Sequence, residues 1–298
     1  DELIFGVGED AGARKVTDDL AVVSTIDFFT PIIDDPHEYG RVAVTNAASD
    51  AYAKGATEAL SFMVVLGLPK ELTQYASAVL SGIADAVDAM DGVIVGGHTI
   101  ISPWPIAGAA VNAVATPDSL VTTQNAAPGD RLYLTKPLGT QPAMGALRVM
   151  DGEFGEQIRG ATDRDVETIG REALEWMGTP NRDAALAFDA APVTSATDIT
   201  GFGLRGQSEQ VAANSGVGFE ISHIPVIAGT APLSELFGYG LLDGDSAETS
   251  GGLLMSVAPD GTDALETALD ERDVFYREVG RVTEGSGVTL ADPTIEEV

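Results

Sequence analysis

The chain reads as a two-domain α+β protein, each domain built on one mixed or mainly antiparallel sheet with helices packed against it. Three observations lead there. Its 298 residues, 44% of them hydrophobic, suffice for about two domains whose cores need no covalent staples. Helix-period and strand-like segments intermingle without the strict alternation of a doubly wound parallel fold. A stretch rich in Pro, Asp, Ser, Thr and Asn, Thr116 to Gly129, separates two halves, so the boundary falls near 117, with domains 1–117 and 118–298.

The first half opens with strand-like Asp19 to Ile26, ending at Asp27. Ala-rich, helix-period Tyr39 to Lys54 follows, stopped by Gly55. Ala59 to Leu66 and Gly92 to Val95 are short apolar runs bounded by Gly or Pro and predict strands, with a helix over Glu71 to Met90 between them. Ile106 to Ala115 predicts another strand. In the second half, Arg131 to Thr135 and Gly252 to Val257 predict strands, and helices are expected around Pro142 to Met150, Asp163 to Met177 and Arg182 to Phe188. There is no repeat of 20 to 50 residues and no low-complexity segment.

Charge narrows the function classes. With 46 acidic against 16 basic residues, net −30, the surface is a field of mutually repelling carboxylates that needs salt to screen it. Only four lysines occur (Lys15, Lys54, Lys70, Lys136), and the acids are spread along the length, a pattern expected of a high-salt cytoplasm; an acidic mesophilic protein is the alternative. Nucleic acid is excluded as a partner because no Lys/Arg cluster exists to neutralise phosphates. A small polyphosphate remains compatible, since a divalent cation held by carboxylates supplies the missing positive charge. With no cysteine there is no disulfide, thiolate metal site or thiol nucleophile in this stretch. No apolar run approaches 18 residues and no basic-apolar leader opens the chain, so neither a membrane partner nor export is expected and cytoplasm is the default.

The candidate chemistry lies in glycine-flanked carboxylates. Gly6 to Ala13, GVGEDAGA, places Gly8 and Glu9 beside Asp10, with backbone N–H groups accessible; a glycine-rich hairpin is the bland reading. Asp27 follows an apolar strand, where burial is expensive unless the carboxylate is paired or metal-bound. Asn46 and Asp50, four apart, share one face of an Ala-rich helix. Gly96 to Thr99, GGHT, follows an apolar run and predicts a strand then a glycine turn, with the Thr99 hydroxyl and backbone donors able to meet a phosphate; His98 is a ligand or a turn residue, and the lack of a second histidine near in sequence favours the turn. Asp198 in ATDITGFG is a fourth metal candidate at a strand end. Mg2+ prefers several oxygen ligands and usually keeps waters while bridging phosphates, so monodentate aspartates from separate elements suit it.

Thr25 to Ala56 (TIDFFTPIIDDPHEYGRVAVTNAASDAYAKGA), VGGHTI, LTKPLGT, WMGTPNRDAA, TDITGFGL and TSGGLL, in that order, resemble the selenophosphate synthetases, also called selenide, water dikinases, of the aminoimidazole ribonucleotide synthetase-like superfamily. The resemblance spans essentially the whole chain. It implies two α+β domains, a homodimer joined through the N-terminal ones, ATP between the domains, and a reaction of ATP, selenide and water giving selenophosphate, AMP and phosphate. Asp10, Asp27, Asp50 and Asp198 fall on the family's magnesium and nucleotide aspartates. Gly97, His98 and Thr99 fall on its phosphate-contacting turn, Gly8 and Glu9 on the loop beside the first aspartate, and Asn46 joins the ATP-binding set. Mg2+ is the implied cofactor, with K+ a further candidate ion.

The family's segment carrying a catalytic Cys or selenocysteine and a Lys has no counterpart here, so no catalytic residue is assigned. Either it precedes Asp1, which the absence of an initial Met favours, or this member has lost selenide chemistry. Ile101 to Pro105, Arg205 to Gln207 and Ser246 to Glu248 also depart from the family pattern and bear on the acceptor. A related ATP-dependent kinase or synthetase with another small acceptor, and a non-catalytic ATP-binding homologue, are the alternatives.

Overall fold

The computed structural model describes residues 2–298, the side chain of Ala291 aside. Two compact units emerge: the chain up to Leu120 together with Met177–Ala185, and Val121–Trp176 together with Leu186–Val298.

In the first unit the order is β1 (Leu3–Phe5), β2 (Gly12–Thr17), β3 (Leu20–Phe29), α1 (Pro36–Ala53), β4 (Glu58–Leu68), α2 (Ala76–Ala89), β5 (Val93–Ile101) and β6 (Ile106–Ala115). They form a six-stranded sheet ordered β1-β2-β3-β6-β4-β5. Every pairing is antiparallel except β4–β5, which the α2 crossover makes parallel. α1 covers the inner face. Alternate residues of β3 point inward (Ala21, Val23) or outward, where Ile26 is 58% and Phe28 48% exposed.

α1 starts cleanly because Asp35 accepts hydrogen bonds from the His37 and Glu38 N–H groups and Pro36 occupies the first turn. It ends at Lys54 in a Schellman arrangement: Ala56 N–H donates to Ala51 O, Gly55 N–H to Tyr52 O, and Gly55 adopts φ +75°. Between the caps α1 is buried on nearly all sides. Small residues permit this. A Cβ on Gly40 would lie 2.1 Å from the Val79 carbonyl oxygen, and one on Gly82 of α2 would lie 1.9 Å from that of His37. The returning segment Met177–Ala185 adds a polar clasp, with Asn181 Nδ2 donating to Ser49 Oγ at 2.9 Å.

The second unit contains β7 (Arg131–Leu134), α3 (Thr140–Val149), α4 (Gly155–Ala161) and α5 (Val166–Gly178), whose last residues cluster with the first unit, as does most of α6 (Arg182–Leu186). Then come β8 (Val193–Asp198), α7 (Gly203–Ser215), β9 (Gly218–Val226), α8 (Thr230–Phe237), β10 (Leu253–Val257), α9 (Thr262–Asp270), β11 (Arg277–Thr283) and β12 (Gly287–Glu297). Its sheet runs β12-β9-β11-β7-β10-β8, again with one parallel pair, β12–β9, at an edge. Leu132, Leu134, Leu204, Phe219, Ile221 and Val279 anchor its core.

Three expectations need correction. β3 runs on through Asp27 to Phe29, because Phe28 and Phe29 continue the ladder with Gly108 and Ala107 of β6. The helix expected over Glu71 to Met90 is split: Lys70–Tyr75 is a 3-10 turn, and α2 begins only at Ala76. The Gly96–Gly97 turn is absent. Both glycines lie inside β5, where Gly97 comes so close to β4 that a Cβ would sit 2.3 Å from the Val64 carbonyl oxygen.

Candidate functional site

α1 and β3 bring three of the predicted groups, Asp27, Asn46 and Asp50, into a row with Thr25, which sequence reasoning did not single out. Asn46 and Asp50 are one helical turn apart, about 6 Å along the axis, while Thr25 and Asp27 are two residues apart on one face of β3, also about 6–7 Å. The two spacings match. Asn46 Nδ2 therefore donates to Asp27 Oδ2, and Thr25 Oγ1 donates to Asp50 Oδ2 at 2.5 Å. The Phe28 N–H also donates to Asp27 Oδ1 at 3.1 Å. Burial pushes the Asp27 carboxyl above the usual range, against the opposing effect of the Asn46 amide and the Phe28 N–H.

One further turn along α1 stands Lys54, at the end of the same helix face. Its Nζ lies 2.8 Å from Glu9 Oε2 and 2.7 Å from Asp10 Oδ2, with the lysine side chain 0% and the acids 2% and 7% exposed. The acids sit on the turn between β1 and β2, tightened by Glu9 N–H donating to Gly6 O and by Gly8 at φ +105°. Sequence reasoning missed Lys54 as a site residue. The available signal was the scarcity of lysine combined with an Ala-rich, buried-type helix around it.

Gly97, His98 and Thr99 lie elsewhere. They belong to the exposed edge strand β5 and pair with Val64, Val65 and Leu66. With β6 and β4 intervening, β5 is three strand spacings, about 14 Å, from β3. Within this unit they do not join the aspartate row. Trp104, in the segment that departs from the family pattern, is 70% exposed.

In the second unit Asp198 ends β8 opposite Leu253 of β10 and is 3% exposed, accepting from Thr200 Oγ1 at 2.8 Å. A second buried lysine lies in its field. Lys136 donates to the Ser250 carbonyl at 2.9 Å, and burial pushes its ammonium down to about 7 although Asp198 favours the charged form. Nearby, Glu248 replaces the missing side-chain cap of α3. Its carboxylate accepts from the Gly139 and Thr140 N–H groups at 3.0 and 2.7 Å and from Thr140 Oγ1, while burial raises its proton affinity. Gln207 is also buried and donates to the Thr200 carbonyl. Among the described residues, no three His, Asp or Glu side chains form a group able to hold a metal ion unaided.

Residues 8–116 match the family model for the AIR synthase related protein N-terminal domain, and 127–292 match its C-terminal domain. The chain is thus an AIR synthase-related protein in both units, and solved structures agree on the fold. AaThiL complexed with AMPPCP and TMP superposes with a TM-score of 0.75 at 20% identity over 98% of this chain and 89% of that one. The thiamine-monophosphate kinase of Stenotrophomonas maltophilia gives 0.75 at 22% over 98% and 92%. Within this class the chain belongs to the selenide, water dikinase family. It is 40% identical to the selenide, water dikinase of Methanococcus maripaludis (98% of this chain, 89% of the relative) and 39% identical to that of Methanocaldococcus jannaschii (99% and 87%).

Proposed function

We propose that this protein makes selenophosphate from selenide, ATP and water, releasing AMP and phosphate. The observation that carries the reading is the identity of about two residues in five, over nearly the whole chain, with selenide, water dikinases. A structural neighbour complexed with AMPPCP supports ATP as the nucleotide. The full-length protein should form AMP from ATP only when selenide is supplied. No AMP above background would overturn the reading, and turnover indifferent to selenide would assign another small acceptor.

Mg2+ fits the residues present. Asp10, Asp27, Asp50 and Asp198 offer hard oxygen donors, and Asp27 and Asp50 each have side-chain partners that fix their orientation. Because no three metal-binding side chains converge among the described residues, each ion would rest on one or two carboxylates, with water and phosphate oxygens completing its shell. When bound, it offsets the charge developing on the transferring phosphoryl group. The protein's part is orientation. Asn46 and Thr25 hold two carboxylates in place, Gly8 and Glu9 shape the adjoining loop, and Gly97, His98 and Thr99 are assigned to phosphate contact from β5, with residues 1–117 as the nucleotide-binding domain and 118–298 as the second.

A homodimer joined through the first unit belongs to the same reading. The outer sheet face supports it: Ile26, Phe28 and Met63 are 58, 48 and 46% exposed, and on β5 Val93 and Ile100, opposite Ser61 and Gly67, are 61 and 44% exposed. A molar mass of one chain by light scattering at high salt would reject it. No described helix is long and apolar enough to cross a membrane.

A further inference from the structure

The chain has only four lysines for a net charge of −30, yet two of them, Lys54 and Lys136, are buried against acidic groups. Solvation and surface charge balance would both be served better by placing them outside. Lys54 is the more constrained. The Schellman end of α1 fixes its backbone, the helix aims its side chain along the Asn46–Asp50 face, and its ammonium meets Glu9 and Asp10 together at 2.8 and 2.7 Å.

We propose that Lys54 is a positioning residue, a resident counter-cation that holds Glu9 and Asp10 in place before a divalent ion arrives and lowers the affinity for that ion. This rests on the assignment of Asp10 as a metal carboxylate made above. Two adjacent carboxylates at 2% and 7% exposure would carry a charge of −2 into the interior, an arrangement tolerated only when paired. An ammonium with three donors serves both acids at once and leaves a net charge of −1. The same ammonium acts against the ion. It occupies Asp10 Oδ2, and its charge repels a dication approaching that carboxylate. The pocket is thereby preformed without a metal but grips one weakly, so a divalent ion enters with the polyphosphate rather than remaining between turnovers. A purely structural ion pair would stabilise the fold and leave the divalent response untouched.

The test uses the full chain with Mg2+ titrated in the presence of a non-hydrolysable ATP analogue, read by calorimetry and by thermal unfolding. Lys54→Met should lower the unfolding midpoint in chelator and reduce the half-saturating Mg2+ concentration about five- to tenfold. Lys54→Arg, which keeps the charge, should stay within about twofold of the natural protein. A Lys54→Met variant less stable in chelator but with unchanged or weaker Mg2+ half-saturation overturns the proposal. If that variant does not fold, Lys54→Gln, which keeps donors but no charge, is judged by the same criterion. Asp10→Asn separates the two levels: if it leaves the Mg2+ response unchanged, the metal assignment itself fails, whereas a weakened response beside an unresponsive Lys54 variant rejects only the role of Lys54.

Discussion

Asp27 is the residue whose protonation most directly links fold and site. Its folded-state pKa is raised by burial, so the metal-free fold binds this proton more tightly than the unfolded chain does. Its contribution to stability is therefore lost as pH rises from the ordinary aspartate value through the raised one. Asp27→Asn should abolish that slope, so the stability difference between natural protein and variant, measured by denaturant unfolding in chelator, should fall as pH rises across the mildly acidic range. Asp50 makes a simpler prediction. Replacing it with Asn keeps an acceptor for Thr25 but removes the charge, and Mg2+-dependent ATP-analogue binding should weaken about tenfold or more by titration calorimetry; unchanged affinity would remove Asp50 from the site. The spacing of Asn46 and Asp50 made their common face legible in the sequence, because i and i+4 are neighbours on any helix. Lys54 was not legible. Its partners lie some 45 positions away, and lysine near a helix end reads locally as a solvated residue.

At the scale of elements, α1 is held where the row needs it by its close approach to α2. Gly82→Ala would put a methyl group 1.9 Å from the His37 carbonyl oxygen, so the helices must separate. We expect a loss of about 2–3 kcal/mol in unfolding free energy together with weaker nucleotide binding, since the same helix carries Asn46, Asp50 and Lys54. α3 depends on Glu248 in a comparable way. Glu248→Ala strands the N–H groups of Gly139 and Thr140 inside the unit and should cost about 2–3 kcal/mol by denaturant titration, while Glu248→Gln, which keeps one acceptor oxygen, should cost less. Such elements differ in how openly the sequence declares them. β6 falls at Ile106–Ala115 as its apolar run predicts, whereas β5 hides behind two glycines that look like a turn, of which Gly97 is in fact required by the close approach of β4. The cap on α3 was invisible for a different reason, since its acid comes from more than a hundred residues downstream.

For the whole molecule, a charge of −30 with surface acids repelling one another makes ionic strength a structural variable. Raising KCl from about 0.1 to 2 M shortens the screening length from about 10 Å to under 3 Å, and the unfolding midpoint should rise by on the order of 10 °C; a flat response would argue against salt adaptation. Mixed signals and a polar connection were enough to anticipate two α+β units, but not the return of Met177–Ala185 to the first unit, because its contacts join positions far apart in the chain: Asn181 meets Ser49 across 132 positions, and Arg182 meets Asp91 and the Thr57 carbonyl. The alternation in β3 has a further consequence for how this protein can change over time. Thr25 and Asp27 look toward α1 while Ile26 and Phe28 look away, and nine consecutive pairs with β6 lock that phase. Substitutions can retune either side independently. Inserting or deleting a single residue within the strand would exchange the two sides at once, turning phenylalanine toward the carboxylate row and aspartate outward, so this stretch can drift in letter but not in length.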